Sequence, residues 1–253
     1  MQKVIAVANQ KGGVAKTTTA LNLAAGLARQ PDGYRVLLID LDPQANATES
    51  LTIDYDKAED NSVYQVLEQK LGLPAVVQQV APSLDLVPSH IGLARLEPSL
   101  SAALAAYRLQ EALEAVSYDF VVIDCPPSLG GLTTNALVAA TDVIVPVKPA
   151  TYGLSAVRDF METFTLVQQR MNEQLRLLGV LITLHDSRTT LSKDAIAYLE
   201  EAFEDVLFET RIRMNVRLDE AASARQPIFD FAPSSSGAED YRAFLEEVLD
   251  RVR

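Results

Sequence analysis

The chain has 253 residues, 48% of them hydrophobic, with 22 Lys plus Arg against 34 Asp plus Glu and a single Cys. Such a composition buries a sizeable core and excludes a disordered chain or a disulfide-stapled miniprotein, while the formal net charge of −12 requires any nucleic-acid contact to come from a local basic patch. Cys125 has no second cysteine to pair with, the amino-terminal apolar run is too short for a signal peptide, and no run approaches the roughly 20 apolar residues that cross a bilayer, so a reducing cytoplasmic location and no membrane partner are expected.

In chain order, Lys3 to Ala8 is a short apolar run that ends in a Gly-rich turn, and Leu21, Leu23, Ala24, Leu27 and Ala28 then follow a helical period. Further strands are predicted at Arg35 to Asp40, Leu84 to Val87, Asp119 to Asp124, Asp142 to Val147 and Leu177 to Thr183. Helices are predicted near Ser62 to Gln69, Ala106 to Ala115, Thr133 to Ala140, Gly153 to Met171, Leu191 to Phe203 and Glu239 to Val252. The last has a capping box of Ser236 with Glu239 and an apolar stripe of Tyr241, Phe244, Leu245, Val248, Leu249 and Val252. Ile53 to Asn61 is polar and without period, which predicts a surface loop. Strands apolar on both faces and separated by helices imply an α/β fold: one doubly wound, mostly parallel sheet with helices on both faces. Pro and Gly are scattered singly and no linker composition divides the chain, so residues 1–253 are read as one domain.

Chemistry is concentrated in Gln10-Lys11-Gly12-Gly13-Val14-Ala15-Lys16-Thr17-Thr18, between the first strand and the first helix. A phosphate chain needs unobstructed backbone N–H groups, a helix N-terminus, a lysine for the terminal phosphates and a hydroxyl for Mg²⁺, and this segment supplies each. Gln10 and Ala15 stand where a standard P-loop has its two glycines. Ala15 places a Cβ beside the phosphates, at a position where positive φ costs an L-residue more than glycine. Asp40 and Asp42 follow at the carboxyl end of the second strand, in Asp40-Leu41-Asp42-Pro43-Gln44, where ligands of doubly wound sheets bind. Val121-Val122-Ile123-Asp124 is an apolar strand that delivers one carboxylate, the grammar of a Walker B residue in a Mg²⁺ shell. Cys125 reads as a packed residue, and His90 and His185 are isolated in sequence and carry no assignment.

With its second lysine, the loop resembles that of the ParA and MinD ATPases, the deviant Walker A branch of the P-loop NTPases, and the resemblance runs over nearly the whole chain. It implies that Lys11 reaches across a dimer to the partner's ATP, that Lys16 binds the β and γ phosphates, that Thr17 ligates Mg²⁺, and that Asp40 orients the attacking water. Lys11, Lys16 and Asp40 are thereby the implied catalytic residues. Asp124-Cys125-Pro126-Pro127-Ser128 resembles the family's switch II. Thr210 to Ala221 resembles its adenine-flanking segment, with Arg213 in place of a proline and Asn215 implied at the base. Arg188, Arg211, Arg213 and Arg217 match arginines that help such proteins bind DNA without sequence preference; the alternative is an ion-paired face, since acidic residues flank the stretch.

The first strand begins at Lys3, which suggests the short chromosomal, Soj-like type of ParA. The implied function is a slow ATPase switch for chromosome or plasmid partitioning. An ATP-bound homodimer binds nucleoid DNA nonspecifically, and a ParB-like centromere-binding protein stimulates hydrolysis and release. The alternatives are a family member that positions another cargo and a MinD-like regulator at the membrane surface. The mixed charges on the polar side of the last helix argue against the membrane. A nitrogenase iron protein, which shares the loop, would need two cysteines per subunit and is excluded.

Overall fold

The computed structural model describes residues 2–51, 60–100, 102–149, 153–186 and 190–253. The predicted loop at Ile53 to Asn61 falls largely outside them. Eight strands form one sheet: β1 (Lys3–Val7), β2 (Val36–Asp40), β3 (Gln78–Ala81), β4 (Leu84–Val87), β5 (Phe120–Asp124), β6 (Asp142–Val147), β7 (Arg176–His185) and β8 (Leu207–Arg213). Their order is β3-β4-β2-β5-β1-β6-β7-β8, and every neighbouring pair is parallel except β3 with β4.

The two-residue period of the strands divides the core. On β1, Val4, Ala6 and Ala8 pack on one face while Ile5 and Val7 pack on the other; β2 and β5 alternate in the same way. The first face is covered by α3 (Val63–Leu67), α4 (Leu93–Leu100), α5 (Arg108–Leu113), α6 (Gly131–Ala139), α7 (Gly153–Arg170) and α8 (Thr190–Ala202). The second is covered by α1 (Lys16–Ala28), the short α2 (Asn46–Glu49), α9 (Val216–Ser223), α10 (Ile228–Phe231) and α11 (Ser236–Val252). Burial on both faces is why these strands read as continuous apolar runs.

The sequence reading does not include β3, α2, α9 or α10, and it lacks two further elements for identifiable reasons. Helix α4 carries Pro98 in its interior, which masks a helical spacing of Leu93, Leu96 and Leu100, all buried. Strand β8 lies at the sheet edge and buries only Phe208 and Ile212, so no long apolar run marks it. The predicted Ser236 cap is corrected by one residue: Ser235 is the N-cap of α11, its Oγ accepting from the Ala238 N–H at 3.2 Å. The stripe from Tyr241 to Val252 is buried against α1 and β8, so this helix has no free apolar face for a membrane surface. Its polar side chains close the sheet edge. Glu247 accepts from the Glu209 and Thr210 N–H groups, and Arg251 donates to the Leu178, Val206 and Leu207 carbonyls. Among the described residues no helix is long and apolar enough to cross a membrane.

Candidate phosphate-binding site

The loop from Asn9 to Ala15 joins β1 to α1 at the carboxyl end of the sheet, between β5 and β6. Gly13 turns the chain at φ +70°, where a Cβ would meet no atom, so the constraint there is conformational and not steric. Ala15 holds the same left-handed region at φ 60° and ψ 34°. As N-cap of α1 it offers no side-chain cap, and the first turn contains no acidic residue. The first N–H groups of α1 are therefore left to an anion from outside the helix. Elsewhere the loop is fastened: the buried Thr183 hydroxyl donates to the Val14 carbonyl at 3.0 Å, and the Thr19 N–H donates to Ala15 O at 2.9 Å.

Lys16 is 6% exposed, and its Nζ donates to the Lys11 carbonyl at 3.0 Å. Burial pulls its pKa below the ordinary lysine value, while Asp124 and Asp42 pull the other way. Asp124, at the end of β5, is fully buried, and neither of its carboxylate oxygens has a hydrogen-bond partner. Burial raises its pKa well above the usual carboxylate range, and the neighbouring Asp40 raises it further; Thr17 is close enough to oppose the shift without reaching bonding geometry. A buried, unbonded carboxylate costs several kcal/mol unless a proton or a cation answers it. Mg²⁺ fits this set. It favours hard oxygen donors, takes one or two carboxylates or hydroxyls from protein, and completes its shell with phosphates and water. The described residues contain no cluster of three or more His, Cys, Asp or Glu that would cage an ion without phosphates. Asp124 and Thr17 are the residues that would hold it.

The two strand-end aspartates have different environments. Asp40 is fully buried: one oxygen accepts from the Asp42 N–H at 3.1 Å, the other from the Thr48 N–H and hydroxyl at 2.9 and 2.8 Å. Burial pushes its pKa up to about 7, against those hydrogen bonds. This carboxyl closes the Asp42-to-Thr48 turn, and its Oδ1, with one hydrogen bond, keeps a lone pair for a further donor. Asp42 keeps some exposure at 7%, accepts one bond from the Gln44 N–H at 2.9 Å, and lies close enough to Lys16 to act on its charge.

Asn215 caps α9. Its Oδ1 accepts from the Arg217 N–H at 2.9 Å and its Nδ2 donates to Ser236 Oγ at 2.8 Å, which ties the start of α9 to the start of α11. A cavity of about 520 Å³ opens between Thr17 and Thr18 of α1, Asn46 and Glu49 of α2, and Leu218 and Ala222 of α9. The motif from Thr210 to Ala221 reaches Leu218 and Ala221 of this lining and ends before Ala222, Ser223, Arg225 and Gln226.

The arginines form the ion-paired alternative. Arg211 pairs with Glu200 at 2.5 Å and Arg217 with Glu220 at 2.7 Å. Arg213 donates to both Asp240 oxygens and to Glu239, which makes it a tie between β8 and α11 and no part of a free basic patch. Arg188 lies outside the described residues. Cys125 is buried, and burial raises its thiol pKa far above the ordinary value, in keeping with a packing role.

A family model described as an AAA domain matches residues 2–177. The chain is 43% identical to the sporulation initiation inhibitor protein Soj of Bacillus subtilis, over 98% of each chain. It is 45% identical to the chromosome-partitioning ATPase Soj of Thermus thermophilus, over 98% of this chain and 96% of that one. Among solved structures, cobyrinic acid a,c-diamide synthase from Mycobacterium smegmatis is 40% identical, with a TM-score of 0.85 over 100% of this chain and 96% of that chain. It has been solved with ADP and magnesium and with an ATP analog and magnesium.

Proposed function

Since the chain belongs to the Soj/ParA family of partitioning ATPases, we propose that it is a cytoplasmic, nucleoid-associated switch that binds DNA nonspecifically as an ATP-bound homodimer. It is an ATPase that uses ATP and Mg²⁺. The observation that carries the site is the buried, unbonded Asp124 carboxylate beside Lys16 and Thr17 at an uncapped helix N-terminus.

In this reading residues 1–253 form one P-loop domain. The N–H groups from Gly12 to Thr18 cradle the phosphates, Lys16 leaves the Lys11 carbonyl for the terminal phosphates, and the nucleoside enters the cavity between α1, α2 and α9. Mg²⁺, held by Thr17 and Asp124, supplies charge neutralisation at the phosphate oxygens. Asp40, whose Oδ1 accepts a single bond within the turn, orients the attacking water. Lys11 reaches the nucleotide of a second copy. DNA contact falls to Arg188, Arg211 and Arg217. Exposed ion pairs contribute only about 0–1 kcal/mol, so phosphates can replace Glu200 and Glu220 as partners. Dimerisation doubles the number of phosphate contacts, and DNA affinity climbs steeply with that number. A ParB-like partner then stimulates hydrolysis and resets the switch.

Binding to nonspecific duplex DNA without nucleotide, with ADP and with ATP, at two salt concentrations and with light scattering for mass, tests this reading. Binding confined to ATP, by a dimer and weakened by salt, is expected. ATP-dependent dimers that ignore DNA would replace the nucleoid with another cargo. The likeness to a diamide synthase supports a second reading, ATP-driven amidation of a carboxylate; hydrolysis that appears only when a carboxylate acceptor is added would favour it.

A further inference from the structure

The peptide group of Lys11 is held on both sides. Its N–H donates to Asn9 Oδ1 at 3.0 Å, and its carbonyl accepts from Lys16 Nζ at 3.0 Å. These two holds respond differently to a phosphate chain. Phosphate oxygens compete directly for the Lys16 ammonium, so that bond is given up as nucleotide binds. The bond from Asn9 faces no such competition. Asn9 is 2% exposed, and its Nδ2 donates to the Pro146 carbonyl of β6 at 2.8 Å. One end of the amide closes a turn two residues on, and the other anchors that turn to a neighbouring strand.

Gln10 adds a tie in the same direction, its Nε2 donating to Asp159 Oδ2 of α7 at 2.7 Å. The stretch ahead of Gly12 is thus fastened to β6 and α7, whereas the stretch from Val14 onward is fastened to β7 and to the first turn of α1. The exposed Gly12 and Gly13 separate the two. The phosphate-contacting half of the loop and the half that carries Lys11 therefore have independent supports.

We infer that Asn9 is the positioning residue for Lys11: it pins the Lys11 backbone to the carboxyl end of β6, so that the lysine is presented to a second copy of the chain once Lys16 has turned to the phosphates. This rests on the reading that Lys11 serves an ATP-dependent dimer. Asn9 acts through Lys11 and has no contact of its own to make with the nucleotide. Gln10 and Asp159 limit the sideways swing of the same segment.

Asn9→Ala removes both bonds, and Asn9→Ser keeps an acceptor for the Lys11 N–H but cannot reach Pro146. Affinity for a fluorescent ATP analogue, measured at protein concentrations too low for dimers, is expected to stay within about twofold of the parent for both, because the phosphate-contacting half of the loop keeps its supports. Dimerisation in a slowly hydrolysed ATP analogue, followed by sedimentation, should weaken at least roughly tenfold in Asn9→Ala, which loses both bonds in each copy, and less in Asn9→Ser, which keeps the one to the Lys11 N–H. Asp159→Ala, on an exposed residue, should weaken it by a smaller factor. Parent-like dimerisation of Asn9→Ala would overturn the inference. So would a loss of nucleotide affinity in step with the loss of dimer, since Asn9 would then shape the phosphate loop as a whole. If Asn9→Ala does not fold, Asn9→Ser and Asp159→Ala decide by the same criteria. Failure of the parent protein to dimerise with ATP, or normal dimerisation of Lys11→Ala, would instead remove the dimer reading beneath it.

Discussion

Ala15 stands where glycine would be the unstrained choice, and Ala15→Gly separates two effects that the sequence runs together. At φ 60° an L-residue is disfavoured by about 1–2 kcal/mol, while glycine loses about 0.5–1 kcal/mol through the freedom of the unfolded chain. The substitution should therefore stabilise the fold by about 0.5–1 kcal/mol, or about 1–4 °C in Tm for a chain of this length. Nucleotide affinity should respond differently. The loop holds the left-handed conformation already, so the strain is borne in folding and does not reappear in binding; the Kd for ATP should shift by less than about threefold. Ser83→Gly is the matched control, an exposed residue at φ 62° in the β3–β4 turn, far in sequence from the loop. Calorimetry and fluorescent-nucleotide titration of both variants check this. An Ala15→Gly protein with a lower Tm than its parent, or a tenfold change in Kd at constant Tm, would refute the reasoning.

Asp40→Ala leaves the Thr48 N–H, the Thr48 hydroxyl and the Asp42 N–H without their acceptor and should destabilise the fold by about 2–4 kcal/mol in denaturant titrations, while the folded fraction should bind ATP and fail to hydrolyse it. Burial raises Asp40 to about 7 and moves Asp124 in the same direction, so from roughly pH 4 to 7 the folded chain retains protons that the unfolded chain has released. Stability without nucleotide or Mg²⁺ should fall as pH rises through that window, and less steeply in Asp40→Asn; chemical denaturation at pH 5 and pH 8 measures the slope. Arg213→Ala leaves Asp240 only the backbone N–H of residue 213 and should lower stability by about 1–3 kcal/mol, while Arg217→Glu should leave Tm and ATP binding unchanged and abolish ATP-dependent DNA retention on filters. Chelation of Mg²⁺ should weaken ATP binding by at least roughly tenfold, because phosphates would otherwise enter beside Asp42 and Asp124 uncompensated; equal affinity with and without the metal would exclude Asp124 from its shell.

The parts of this molecule legible from sequence are those whose physics is local. Gly12-Gly13 and Lys16-Thr17 announce a phosphate loop because turn, helix start and charge fall within a few residues, and strands buried on both faces announce themselves as unbroken apolar runs. The different surroundings of Asp40 and Asp42 were not legible in the same way. Both end the same strand, and what separates them is Thr48, eight residues on, folding back to bond one carboxylate and leave the other. The arginines repeat the lesson at longer range: Arg213 is fixed by Asp240, 27 positions away, and Arg211 by Glu200, 11 positions away. Helix α4 was hidden by Pro98, and β8 by its place at the edge, where alternation leaves only two buried residues.

These long-range pairings also explain how an acidic chain can belong to a DNA-partitioning family. With a net charge of −12, permanent display of the arginines would not overcome the field of the whole molecule, and in the proposed switch their pairing with Glu200 and Glu220 would let the single chain ignore DNA at little energetic cost. The nucleotide site has the opposite arrangement, since Asp124 is left without a partner where pairing would be easiest to provide. On the proposed reading, one set of charges stays satisfied internally until a polyanion offers many contacts at once, and the other stays unsatisfied until a metal–nucleotide complex arrives. Binding at the second would then assemble enough of the first, through dimerisation, for DNA to compete.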